Sequence, residues 1–266
     1  MENEETKTKE VNVMDLFRLD GKAAYVVGGS QGLGESMALG LAQAGAELAI
    51  GSRNAETCDR VAREIGEQTG MSCLSVPIDV SDEFSVQKAF ATFDDRFGKL
   101  DILINSAGIN VRVPIDECPL ETFESVTDTN LKGTWLCCRE AARLMKPKKS
   151  GSIINLGSAL SSVALPERTP YCSSKFGVIG LTQALALELA PSSVRCNAIC
   201  PGAFLTEINK PLLKEPEKMK TVLNLMALNR WGEIHEIRGA ALFLASDAST
   251  FVTGSSLYVD AGWTAR

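Results

Sequence analysis

The sequence predicts an α/β fold, a single domain built on a doubly wound parallel sheet of about seven strands. Three observations carry this. Short apolar runs alternate with longer helical patterns from residue 22 to the C-terminus. The runs are apolar in the manner of strands covered on both faces. No linker, repeat or low-complexity stretch divides the alternation. Because crossovers between parallel strands are right-handed, the doubly wound sheet is the simplest topology.

Taken in order, residues 23–27 read as a strand and 32–44 as a helix with apolar Leu33, Met37, Leu39 and Leu41. Residues 47–50 form the second strand, and 56–67 a helix with polar and apolar faces. A third strand over 73–78 and a helix over 86–97 follow, then a short buried strand at 102–104. After a loop holding Pro114 and Pro119, residues 120–145 read as one long helix ended by Pro147 and Gly151. Strand 153–156, helix 171–189 (stopped by Pro191) and strand 194–200 come next. A mixed segment, 202–232, precedes a helix at 233–245 and a last strand at 257–259. Residues 1–15 read as a mobile tail, and 16–266 as the one domain, with a substrate-facing loop expected at 203–228.

The bulk numbers bound the function. Hydrophobic content of 45% in 266 residues supplies a sizeable core. A net charge of −6 argues against a nucleic-acid partner. Lys146, Lys148 and Lys149 read as a solvated helix end. No apolar run approaches the roughly 18 residues of a membrane span, and residues 1–10 lack the apolar stretch of a signal peptide. The eight cysteines sit mostly in apolar segments, as reduced, buried residues of a cytoplasmic protein do. Cys196 and Cys200 flank Asn-Ala-Ile in a strand-like run, and the chain has one histidine, so no metal site is expected.

The first strand runs into Gly28-Gly29-Ser30-Gln31-Gly32-Leu33-Gly34, where a helix opens. Glycines here let the backbone turn sharply and approach a ligand, and the helix start favours a pyrophosphate. The same stretch also matches the G-x-S-x-G elbow of serine hydrolases. That reading needs a base, and the only histidine, His235, lies amid Glu233 and Glu236 near the start of a late helix. An elbow on the first strand would also be unusual, so His235 reads as a surface or capping residue.

Further motifs stand in a fixed order. Asp79-Val80 ends the third strand and Asn105-Ser106-Ala107-Gly108 the fourth; Asn130 falls in the long helix; Ser158 ends the fifth strand. Tyr171-Cys-Ser-Ser-Lys175 follows, then Pro201-Gly202 with Phe204 and Thr206, and finally Val259-Asp260-Ala261-Gly262. Any one of these is weak; together they resemble the short-chain dehydrogenase/reductase family over nearly all of residues 20–264. The resemblance implies a Rossmann-type, nicotinamide-dependent oxidoreductase and a homotetramer. It places Gly28, Ser30, Gln31, Gly32, Leu33 and Gly34 around the pyrophosphate, and Asp79 with Val80 at the adenine. Asn105, Ala107 and Gly108, then Pro201, Gly202, Phe204 and Thr206, line the rest of the cofactor. Asn130, Ser158, Tyr171 and Lys175 become the catalytic set: Ser158 holds the substrate oxygen, Lys175 bonds the nicotinamide ribose and Asn130 anchors a relay water. One position departs from the pattern, since Val27 stands where the family usually has Thr. That removes a hydrogen bond between the glycine turn and the 105–108 loop.

Such a reaction moves a hydride to or from a carbonyl carbon and a proton to or from its oxygen. A free phenol, with pKa about 10, is a poor base at neutral pH. Tyr171 and Lys175 are four apart on one helix and share a face, so the ammonium is expected to lower the phenol's pKa. Two features bear on specificity. After the second strand come Gly51-Ser52-Arg53-Asn54, with no acid where an NAD-preferring fold places one. Ser52 and Arg53 can hold a 2′-phosphate, so NADP is expected, with NAD as the alternative; Gln31 counts somewhat against, and a capping role for Ser52 or Asn54 is the competing explanation. Arg168 could clamp a substrate carboxylate, but the sequence favours a pairing with Glu167 or solvent. The 201–213 run and Arg230-Trp-Gly-Glu233 look most like gluconate 5-dehydrogenase-type sugar-acid and polyol dehydrogenases. A 3-oxoacyl-carrier-protein reductase, suggested by Leu156-Gly157-Ser158, ranks second for want of a basic docking face.

Overall fold

The computed structural model describes residues 11–206 and 216–265. Strand β1 (Ala23–Val27) is five apolar residues, all buried. Successive residues of a strand face opposite sides. Ala23, Tyr25 and Val27 accordingly pack into one core, and Ala24 and Val26 into another. Strands β2 (Glu47–Gly51) and β3 (Cys73–Ser75) extend the sheet on one side of β1. Strands β4 (Ile102–Asn105), β5 (Gly151–Leu156), β6 (Val194–Pro201) and β7 (Ser256–Val259) extend it on the other. The order is β3-β2-β1-β4-β5-β6-β7, and every pair is parallel. This is the Rossmann-like sheet the sequence predicts.

Helices α1 (Gly32–Gln43), α2 (Ala55–Thr69) and α8 (Arg238–Ala245) bring Met37, Leu41, Val61 and Leu244 to one face. Helices α3 (Glu83–Phe97), α5 (Gly133–Lys148) and α6 (Thr169–Leu189) bring Phe90, Phe93, Met145 and Leu189 to the other. Two further helices are α4 (Leu120–Thr127) and α7 (Pro216–Leu223). With both faces covered, functional groups can reach solvent only where the strands end.

Several expected boundaries move, each for a local reason. The third strand stops at Ser75 rather than residue 78. Pro77 has no N–H to give the ladder, yet Val76 and Ile78 still donate to Ile50 O and Ser52 O at 2.9 and 3.0 Å. The long helix is continuous but contains a π-helical turn, Asp128–Lys132, between α4 and α5. Pro147 does not end it, being taken into the last turn, and the chain leaves the helix at left-handed Lys149. Helix α6 starts at Thr169, with Pro170 in its first turn, where the missing N–H costs nothing. The expected 233–245 helix opens as a 3-10 turn, Ile234–Ile237, before α8. Of the expected N-terminal tail, residues 1–10 lie outside the described residues, while Asp15–Phe17 form a 3-10 turn. Residues 207–215 of the expected substrate loop also lie outside them, and Pro216–Leu223 is helical.

The β1–β4 pairing sets Val27 directly opposite Asn105. Asn105 Nδ2 donates to Asn155 Oδ1 at 2.9 Å and to Cys138 Sγ at 3.3 Å. Its Oδ1 is buried without a partner. A buried acceptor left unpaired is destabilising, and a threonine hydroxyl at position 27 stands where it could donate. Val27→Thr is therefore expected to stabilise the protein by about 1 kcal/mol, a rise in Tm of roughly 2–4 °C for a chain of this size. An unchanged or lowered melting temperature by calorimetry would show that Asn105 Oδ1 is not the group Val27 leaves unpaired.

Candidate active site

The strand order reverses between β1 and β4, and a cleft of about 550 Å³ opens at their carboxyl ends. Its floor is the glycine turn. Gly28, at φ +80°, lies so close to the Ser106–Ala107 peptide that an added Cβ would overlap the backbone, 2.6 Å from Ser106 C. Gly34 is pressed equally hard against Gly28 O. Gly32, at φ +58°, instead faces open space with only Thr206 within 4 Å. The first two glycines thus close the turn onto the sheet, and the third leaves room for a ligand. Helix α1 begins there, and its N-cap residue Gln31 makes no side-chain cap bond. Its first N–H groups are left for an anion, so the cradle fits the pyrophosphate of a dinucleotide.

At the end of β2, Ser52 and Arg53 line the same cleft. Asn54 caps α2, its side chain accepting from Thr57 N at 2.9 Å. Capping thus falls to Asn54 and leaves Arg53 on the cleft wall. Asp79 and Val80 also line the cleft. The Asp79 carboxylate accepts from Ser81 Oγ at 2.6 Å, which holds its pKa below the ordinary carboxylate value, with a smaller contribution from Arg53.

Ser158, Tyr171 and Lys175 meet on the opposite wall. Ser158 opens a short 3-10 turn through a reciprocal cap, its N–H donating to Ser161 Oγ at 3.0 Å. Ser161 Oγ in turn donates to Lys175 O, tying the serine turn to α6. Lys175 is only 4% exposed, and its Nζ donates to Leu156 O at 2.5 Å. Burial lowers its pKa to about 8. Its Nζ stands over the Tyr171 ring, 5.8 Å from the centroid. The expected depression of the Tyr171 pKa is not found: burial raises it, and the nearby Ser158 hydroxyl and Arg168 guanidinium only partly offset that.

Asn130 is fully buried and does not line the cleft. The π turn points its amide at Ile109: Oδ1 accepts from Ile109 N at 2.8 Å, and Nδ2 donates to Ile109 O and Ser174 Oγ. Both amide hydrogens are spent, so Asn130 braces the 105–109 loop against α6 rather than offering its amide N–H groups to a relay water. Asn105 likewise lies beneath the cleft floor, in the buried network with Asn155. The other expected cofactor residues, from Gly28 to Thr206, all line the cleft.

One sequence reading is corrected, and the reading of His235 as a surface residue is supported. Arg168 neither pairs with Glu167 nor lies in solvent: it is 7% exposed and lines the cleft. Ser30 lines the cleft, whereas His235 stands at another surface depression, its Nδ1 3.3 Å from Glu233 Oε2. No hydrogen bond joins Ser30 to His235, and the hydrolase reading falls.

The chain matches the family model described as enoyl-(acyl carrier protein) reductase, adh_short_C2, over residues 27–264. It belongs to the short-chain dehydrogenase/reductase family. It is 37% identical to D-threitol dehydrogenase of Mycolicibacterium smegmatis, over 98% of this chain and 100% of that one. It is 36% identical to gluconate 5-dehydrogenase of Gluconobacter oxydans, over 94% and 97% respectively. The crystal structure of a gluconate 5-dehydrogenase from Burkholderia cenocepacia, in complex with NADP and tartrate, superposes with a TM-score of 0.93 at 36% identity. That likeness covers 96% of this chain and 100% of the other.

The dehydrogenase cleft also contains residues the sequence did not single out: Asn110, Arg112, Leu165 and Trp263. They come from loops, where no periodicity marks a face. Lys175 gives the site a measurable energetic signature. Folded, it releases its proton near pH 8; unfolded, near its ordinary 10.5. Between these values the unfolded chain binds more protons, so this group's contribution to stability rises with pH across that window. Below pH 8 the buried charge is a full penalty. In cofactor-free protein, Lys175→Met is expected to gain on the order of 1–3 kcal/mol at pH 7. The gain over the parent should shrink as pH rises towards 10.5. Denaturant unfolding at a series of pH values checks this, and a variant less stable than the parent at pH 7 would refute it.

Proposed function

We propose that the protein interconverts a secondary alcohol and a ketone on a sugar acid or polyol, using NADP(H) in preference to NAD. The observation that carries the reading is the convergence of Ser158, Tyr171 and Lys175 on a cleft whose other wall is the glycine cradle. The bound dinucleotide supplies or accepts the hydride. The remaining work falls to the chain's own residues. Ser158 Oγ holds the substrate oxygen beside Tyr171 Oη. In reduction the phenol gives that oxygen its proton; in oxidation the phenolate takes it back. Since burial favours the neutral phenol, positive charge near the ring must supply the ionisation; Arg168, which already pulls the phenol's pKa down, and Lys175, over the ring, are the fixed parts of it. The sugar-acid or polyol assignment is supported by the likeness to D-threitol dehydrogenase and gluconate 5-dehydrogenase.

The cofactor preference rests on Arg53 and Ser52, which face the cleft with no acid beside them on that turn. The guanidinium offers a planar fork to a 2′-phosphate. The eight cysteines, all unpaired, suit the reducing cytoplasm, which cell fractionation would check. Among the described residues no helix is long and apolar enough to cross a membrane.

Steady-state kinetics with NADP and NAD test both assignments. Tyr171→Phe should bind NADP as the parent does while losing at least about a hundredfold in turnover. Arg53→Ala should raise the NADP KM severalfold and leave NAD kinetics nearly unchanged. Parent-like turnover in the first variant, or equal damage to both cofactors in the second, would defeat the corresponding role. A homotetramer is proposed as well. Phe123, Trp135, Phe176 and Leu187 on α4, α5 and α6 are large apolar side chains left exposed, as an interface between copies would require. Light scattering should give four times the 28.5 kDa chain mass, and a monomer mass would end the proposal.

A further inference from the structure

Arg168 stands just before α6, three residues from Tyr171, and its side chain forms part of the same wall. A guanidinium carries five N–H donors and a charge that no ordinary pH removes. Buried arginines are accordingly found paired with carboxylates. This one is not. Its single hydrogen bond runs from Nη1 to Glu167 O, at 3.3 Å. Among the described residues no carboxylate lies within ion-pair distance of it, although Glu167 is its chain neighbour. None of its nitrogens is sealed off from the cleft without a partner, so its free donors face the cavity rather than the core.

The backbone is bent to achieve this. Glu167 adopts φ +60°, the left-handed region, which costs a non-glycine residue about 1 kcal/mol or more. That turn sends the Glu167 carboxylate outward and Arg168 inward. Glu167 O also accepts from Val113 N at 3.1 Å, bolting the turn to the loop that carries Arg112. Arg112 lies on the same cleft, is exposed at its rim and adds a second positive charge that reaches Arg168. The one carboxylate among the described cleft residues is Asp79, after β3. The reacting end of the cleft is therefore cationic, with no acid of its own to neutralise it.

We propose that Arg168, assisted by Arg112, is the receptor for a carboxylate on the substrate, so that the enzyme selects hydroxy or keto acids over neutral polyols and sugars. The inference rests on the redox reading above, and it narrows that reading from two substrate classes to one. Arg168 is a specificity-determining residue: the carboxylate it fixes sets how far along the chain the carbon presented to Ser158 and Tyr171 lies.

The test compares matched probes, 5-keto-D-gluconate against D-fructose in reduction and D-gluconate against D-sorbitol in oxidation. The parent should favour the acid in each pair. Arg168→Met should raise the KM for the acid by roughly 10- to 100-fold. It should leave the NADP KM unchanged and cost the neutral partner far less than the acid, and Arg168→Lys should recover part of the loss. A parent-only measurement guards against a variant that fails to fold: D-gluconate, and not D-sorbitol, should raise the melting temperature of the NADP-loaded protein. Equal efficiency on acid and neutral probes, or a loss in Arg168→Met of the same size for both, overturns the carboxylate receptor and leaves the dehydrogenase standing. A raised NADP KM in that variant would instead assign Arg168 to the cofactor. A parent that binds NADPH and turns over none of the four probes, nor other alcohols or ketones, defeats the underlying reading, and the proposal with it.

Discussion

The contact between Gly28 and the Ser106–Ala107 peptide is the constraint on which the rest of the site depends. The strand order reverses between β1 and β4, so the two strands that begin the two halves of the sheet lie side by side. Their carboxyl ends must diverge, and the chain leaving β1 has to turn at once into α1 without filling the gap. Only a residue lacking Cβ fits there, because any side chain at position 28 would overlap backbone that has nowhere to move. That approach aims the start of α1 into the crevice and fixes the height of the 105–108 loop. Asn130 then braces the same loop from beneath through Ile109, and Ser174 links Asn130 to α6. A backbone contact on the cofactor side is in this way carried, through one buried amide, to the helix that bears Tyr171 and Lys175.

The catalytic pair is held at a cost in stability. Lys175 is buried with a backbone carbonyl for a partner and no carboxylate, which is why its pKa falls to about 8. Tyr171 is pushed the other way by the same burial. The protein alone favours the neutral phenol, the form reduction uses, and not the phenolate that oxidation uses. The two shifts converge: an ammonium more ready to lose its proton stands near a phenol reluctant to give one up. Anything that brings positive charge to the ring moves the phenol towards ionisation, and solvent exclusion makes that charge count for more. The chain supplies a poised pair, and occupancy of the cleft completes it.

Much of this was legible in the sequence, for reasons that differ from residue to residue. The strands announced themselves because they are short and mostly apolar between helical stretches, and the glycine turn because its spacing has few other uses. The tyrosine–lysine pair could be placed on one helical face by counting. Other features depended on what lies across a gap in sequence. Nothing local to Val27 says that its neighbour in the sheet is an asparagine with an unpaired oxygen; only the β1–β4 register does. Nothing local to residues 128–132 marks a π turn, whose driving contacts lie at Ile109 and Ser174, and at Val80 against Gly133. Cleft residues such as Asn110 and Trp263 come from loops, where residue type carries no direction.

Arg168 shows the same limit most clearly. Beside Glu167 in the sequence, it reads as half of a surface ion pair, and for exposed neighbours that is the sound expectation. The outcome is decided by one backbone torsion. With Glu167 left-handed, the two side chains part, and the charge that would have been neutralised is turned into the cleft. The chain as a whole carries −6, yet the reacting end of its cleft is lined by Lys175, Arg168 and Arg112. Net charge governs what approaches the molecule from a distance, over lengths that salt screens. Recognition inside the cleft is governed by the few charges that line it, and there the sign is reversed. An acidic protein that concentrates uncompensated positive charge beside its acid–base pair is built to be neutralised by what it binds.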